Sequence, residues 1–287
     1  MLSTLSINAL DELYSQQGFS AARVMTNCND LLNSLRITIS NQQFDYLKDI
    51  IETKCKYLPF EIWSPFWFIK SGLSNSDKEI ISAASIITAF GILIIDKNID
   101  EKNNTNYIEW KDIINCWPNA CHKILNRNPR LSKCITKWCY SNAVNYSNIK
   151  DMVLCKNPFY KLILRTYEKE DLLLLKSIEN FTIAIGLLDD LLDCFDDYKY
   201  NLPNSIILSL KKKARKEIEI YELAEHVLRE DNIQRSLSNI KTILKKATLV
   251  SSDNKNYVQF LNMFVYDVSN MAPFVQSKLL HSLGKLR

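Results

Sequence analysis

IAIGLLDDLLDCFDD, residues 183 to 197, places five aspartates at the end of an oily run. Ile183 to Leu192 is too apolar for a helix in water, so it reads as a buried helix that brings carboxylates to its C-terminal end. Two effects oppose that placement. Acids four apart share a helix face and repel by roughly a few tenths of a kcal/mol, and acids near a helix C-terminus oppose the macrodipole by ~0.3–1 kcal/mol each. A bound cation would offset both. The spacing predicts Asp189, Asp193 and Asp197 on one stripe at i, i+4, i+8, flanked by Asp190 and Asp196.

A second cluster, Asp96-Lys97-Asn98-Ile99-Asp100-Glu101, closes the apolar run from Ile80 to Ile95. That run is 16 residues long and contains Ser82, Ser85 and Thr88, too short for a bilayer and suited to a core helix. Oxygen-only ligands, with no His or Cys among them, suit a hard cation such as Mg²⁺ shared with a phosphate-bearing substrate.

Composition points to helices. The chain has 287 residues, 47% of them hydrophobic, enough for a sizeable core. With 5 Gly and 7 Pro it carries few of the turn residues a β-rich or Rossmann-type chain needs. The expected class is therefore all-α. A net charge of +4, with lysines scattered apart from Lys211-Lys212-Lys213, does not indicate nucleic acid; that triplet reads as a solvated helix start. Eight cysteines without a Cys-x-x-Cys pair argue against zinc and against a secreted disulfide framework. Met1 to Val24 lacks a basic n-region and an apolar h-region, and Asp11 and Glu12 oppose a transit peptide, so the expected location is cytoplasmic.

Apolar periodicity, punctuated by Pro, Asn, Asp and Gly, predicts about eleven helices in a single domain over 1–287. Their spans are 4–17, 20–38, 42–57, 60–70, 76–98, 107–125, 131–148, 156–167, 170–198, 204–249 with a break near Asp231, and 254–282. Three helices separate the two that end in acids. In an up-down bundle with short loops, that odd number brings both acid clusters to the same end. Phe90, Ile94, Phe181, Ile185 and Leu188, upstream of the clusters, are then expected to line an apolar pocket below them. A greasy cavity under a metal-diphosphate site suits a prenyl diphosphate, whose ionisation leaves an allylic cation to be kept from water.

Ile185 to Ile207, IGLLDDLLDCFDDYKYNLPNSII, resembles the class I isoprenoid synthase superfamily of trans-prenyl diphosphate synthases, squalene and phytoene synthases and terpene cyclases. Asp189-Asp190-Leu191-Leu192-Asp193 resembles the second aspartate-rich motif, and Asp197 with Asn201-Leu202-Pro203 resembles its continuation in some bacterial members. Asp96 to Glu101 is similar to the first motif in its Asp-x-x-x-Asp form. The resemblance implies one helical bundle around a central apolar cavity. It also implies that Asp96 and Asp100 ligate Mg²⁺ from one side and Asp189, Asp190 and Asp193 from the other, with about three ions held when diphosphate is bound. Arg165, Lys161 and Lys199 are the candidate diphosphate contacts. A homodimer follows from the superfamily alone, and no integral membrane segment is expected.

The departures from the family select among its reactions. Lys97 stands where many members carry a second aspartate. The chain lacks a Gly-Gly-Lys near its N-terminus and an Arg-Arg after Asp100, residues that chain-elongating enzymes use to grip two diphosphates. It also lacks the Asn-Asp-x-x-Ser-x-x-x-Glu of typical cyclases. The expected activity is a terpene synthase, a diphosphate-releasing lyase that cyclises or rearranges a prenyl diphosphate of about C15 to C20. The alternatives are a prenyltransferase of elongating, head-to-head or acceptor-prenylating type, and a non-catalytic subunit that modifies a partner.

Overall fold

A computed structural model of the chain describes residues 21–34, 45, 172–250 and 255–286. These residues form eight helices and, among the described residues, no strand. The described part is all-α. In chain order the helices are α1 (Ala21–Ser34), α2 (Leu172–Leu192), α3 (Cys194–Tyr200), α4 (Ser205–Ala214), α5 (Ile220–Val227), α6 (Glu230–Val250), α7 (Lys255–Asn270) and α8 (Ala272–Gly284). α1 belongs to one compact unit (Met1–Asn142, Leu162–Lys169) and α2 to α8 to another (Ala143–Lys161, Glu170–Arg287). Apart from residue 45, the predicted helices between 42 and 167 lie outside the described residues, as do the one over 4–17 and Phe90 and Ile94.

In the second unit α2 packs chiefly against α6, which also packs on α7. α6 buries Ile233, Leu237, Ile240, Leu244 and Ala247, a stripe with alternating steps of four and three that keeps one face toward its partners. On α2, Phe181 is 2% exposed, and its ring centroid lies 5.4 Å from Phe260 and 5.5 Å from Phe264 of α7. The expected cavity-lining phenylalanine is thus packed in an aromatic cluster, with Phe260 and Phe264 themselves 5.0 Å apart in edge geometry. Where α2, α6 and α7 meet, the buried Ser177 donates its hydroxyl to the Ala247 carbonyl at 2.7 Å, and its Oγ lies 3.5 Å from the Tyr257 hydroxyl.

The helix boundaries differ from the sequence reading at four places. The helix expected over 170–198 is two helices, α2 and α3, meeting at Asp193, whose φ of −106° and ψ of 12° leave the helical region. The break expected near Asp231 is found at 228–229, but a second one falls at 215–219, and Glu230 and Asp231 occupy the first turn of α6, where the macrodipole favours acids. Lys211-Lys212-Lys213 forms the last turn of α4, not a helix start, and its charges suit the negative end of the dipole. The helix expected over 254–282 is interrupted at Met271, because Pro273 in the first turn of α8 cannot extend the α7 ladder.

Candidate functional site

Of the two acid clusters, the described residues contain the second. Asp96 and Asp100, together with the candidate diphosphate contacts Lys161 and Arg165, lie outside them. The second cluster is carried by the α2–α3 junction. Despite the bend, Asp193 N donates to the Asp189 carbonyl at 2.9 Å and Asp197 N donates to the Asp193 carbonyl at 2.8 Å. The chain direction changes without loss of these two bonds.

The five aspartates point to three different surroundings. Asp189 is exposed. Asp190 is fully buried, and its Oδ2 accepts from Ser205 N, at the start of α4, at 2.9 Å. Asp197 Oδ2 accepts from Asn204 Nδ2 at 2.7 Å, so it too turns toward α4. Asp193 and Asp196 turn toward α8: Lys278 Nζ lies 3.3 Å from Asp193 Oδ1, and Ser282 Oγ donates to Asp196 Oδ2 at 3.2 Å. The single stripe expected for Asp189, Asp193 and Asp197 is therefore divided, since a bend at Asp193 re-aims everything beyond it.

Asn204 organises the α4 side. It is fully buried, and its Nδ2 donates to the Asp190 carbonyl at 2.7 Å as well as to Asp197. Its Oδ1 accepts from Ile206 N at 2.9 Å and Ile207 N at 3.3 Å, which makes it the N-cap of α4. Both amide protons and both lone pairs are used. One side chain thus starts a helix and fastens it to the acidic segment. The turn that leads into it uses Asn201 at φ 55°, a left-handed conformation that Asn tolerates, and Leu202 N closes it onto the Asp197 carbonyl at 2.8 Å.

Electrostatics follow from this packing. Cys194, buried directly after Asp193, has its thiol pushed far up, first by burial and then by the negative charges of Asp197 and Asp190. Lys199, the described member of the three candidate diphosphate contacts, is exposed in the last turn of α3, with Nζ 5.3 Å from the Tyr200 ring centroid. Asp197 and Asn204 also line a cleft of about 520 Å³, walled further by Tyr198, Leu202, Ile207, Lys211 and Ile218 among others. The Tyr198 hydroxyl donates to the Ile218 carbonyl at 3.0 Å, and Lys211 pairs with Glu217 at 2.5 Å.

Sequence reasoning missed Asn204, Ser205, Lys278 and Ser282. Asn204 had a local signal, an Asn after Pro203 and before the apolar Ile206-Ile207. Lys278 and Ser282 had none, because Ser282 and Asp196 are 86 residues apart. Among the described residues no group of three or more His, Cys, Asp or Glu side chains is arranged as a metal cage, and no helix is long and apolar enough to cross a membrane. No protein-family model, curated protein or solved structure matches the chain.

Proposed function

We propose that this chain is a Mg²⁺-dependent class I isoprenoid synthase that ionises an allylic prenyl diphosphate of about C15 to C20, cyclises or rearranges the resulting cation and releases pyrophosphate. The observation that carries the reading is α2 itself. Leu174, Ile178, Phe181, Ala184, Leu188 and Leu191 are buried along one helix, and the same helix delivers an exposed Asp189 and, at its end, a half-buried Asp193. Such a helix could have ended in neutral residues. The carboxylate oxygens at that end fit a hard divalent cation.

In this reading Asp189 and Asp193 would ligate Mg²⁺, with Asp96 and Asp100 as the further ligands that the family resemblance implies. Mg²⁺ bound there would neutralise the diphosphate and favour its departure. Asp190 belongs to the same motif and contributes through position: its bond to Ser205 N sets the end of α2 against α4. Lys161, Arg165 and Lys199 would hold the anionic end of the substrate, while apolar walls exclude water from the cation.

Full-length protein incubated with geranyl, farnesyl and geranylgeranyl diphosphates and Mg²⁺ tests this. Pyrophosphate release with a hydrocarbon product, lost in Asp189→Asn and Asp193→Asn, is the expected result. Release that requires an added acceptor would convert the reading to prenyl transfer. Absence of release from all three substrates would end it.

A further inference from the structure

The end of α4 gathers more positive charge than the fold balances. Lys211-Lys212-Lys213-Ala214-Arg215-Lys216 places five cations in six residues. Lys211 pairs with Glu217, Lys216 with Glu222 and, beyond α5, Arg229 with Glu225. Lys212, Lys213 and Arg215 are exposed, as is Arg235 of α6, and among the described residues none of these four has an acid partner. Packing brings the group together: the pKa of His226 in α5 is lowered first by burial and then by the charges of Lys213, Arg229 and Arg235, which come from α4, the turn at 228–229 and α6. One helical turn before Lys212, Leu208 is 40% exposed. We propose that Lys212, Lys213, Arg215 and Arg235, with Leu208 beside them, form a face that binds the surface of an anionic lipid bilayer. The proposal is independent of the catalytic reading above.

Charge and apolar exposure together favour a lipid surface. The macrodipole at the end of α4 accounts for a cation or two in its last turn, but each further one repels those already there. An extended anionic partner offsets that repulsion. An exposed leucine one turn from the cluster gains nothing from a nucleic-acid backbone. At a bilayer, the leucine and the apolar stems of the lysines can sit at the acyl boundary while the ammonium and guanidinium groups reach lipid phosphates. Polybasic clusters of this size gain about fivefold in partitioning to an anionic lipid surface for each cation near it. The contact is peripheral, since among the described residues no helix is long and apolar enough to cross a membrane.

The test is co-sedimentation of the full-length protein with vesicles of phosphatidylcholine alone and of phosphatidylcholine mixed with phosphatidylserine, at low ionic strength. The protein should pellet with the mixed vesicles and not with the neutral ones, and added salt should release it. The double variant Lys212→Gln, Lys213→Gln should bind the mixed vesicles about twentyfold more weakly, the loss expected for two cations. Lys245→Gln with Lys246→Gln, a pair exposed at the other end of α6, removes the same charge elsewhere and should bind as the wild type. Failure of the wild type to prefer the mixed vesicles would overturn the inference, as would an equal loss in both double variants, which would reduce the effect to net charge. Retention by a DNA duplex without binding to the mixed vesicles would overturn it in favour of a nucleic-acid partner. Helical circular dichroism of each variant confirms that the comparison is between folded proteins.

Discussion

Asp190 and Ser205 are joined by a 2.9 Å hydrogen bond from the Ser205 backbone N–H to the Asp190 Oδ2, in a setting where both residues are buried. The carboxylate acts as a fixed acceptor at the N-terminus of α4, where free N–H groups and the macrodipole both favour negative charge. Its neighbour Asn204 caps the same helix and holds the Asp190 carbonyl. The end of α2 and the start of α4 are therefore one unit.

Asp190→Ala should lower stability by roughly 1–3 kcal/mol, because the Ser205 N–H is left buried without this acceptor. Asp190→Asn, which keeps an oxygen acceptor at the same place, should lose less. Urea unfolding monitored by circular dichroism gives both values; an unchanged midpoint in Asp190→Ala would contradict the structural role.

Phe181→Ala should be more damaging, about 3–5 kcal/mol, since it empties the contact between α2 and two rings of α7. Phe181→Leu keeps most of the volume and should cost markedly less. The ordering of the two unfolding midpoints is the measurement.

His226 is half-buried, and its pKa is lowered from 6.5 by burial first and then by the positive charges of Lys213, Arg229 and Arg235. The unfolded chain therefore binds this proton more readily than the folded one. Stability contributed by the neutral ring is present above the unfolded pKa and is lost as pH falls through and below it. His226→Gln should flatten the decline in stability between about pH 7 and pH 5; an identical slope in wild type and variant would contradict the shift.

Cys194 should resist alkylation in the native protein. Its burial and the two nearby carboxylates disfavour the thiolate, which is the reactive form. Mass spectrometry after iodoacetamide treatment should find the Cys194 peptide unlabelled in buffer and labelled in urea.

The sequence by itself determined that this region is helical and that α2 is a core helix, because the low content of Gly and Pro and the oily run Ile183 to Leu192 are local properties that no partner is needed to express. The cap at Asn204 was an equally local property, since capping depends on residues two and three positions away, but it went unread in the sequence. Where helices stop was less legible. The bend at Asp193 retains its two backbone bonds, so no missing donor announces it, and the Met271 interruption hung on one proline at position 273. Only the tertiary structure decided what each acid of the cluster faces. Periodicity treats Asp189, Asp190, Asp193, Asp196 and Asp197 as one charged end; packing sends Asp190 and Asp197 to α4 and Asp193 and Asp196 to α8. The physical reason is that a carboxylate's surroundings are set by whichever helix folds back against it, and α8 comes from the far end of the chain.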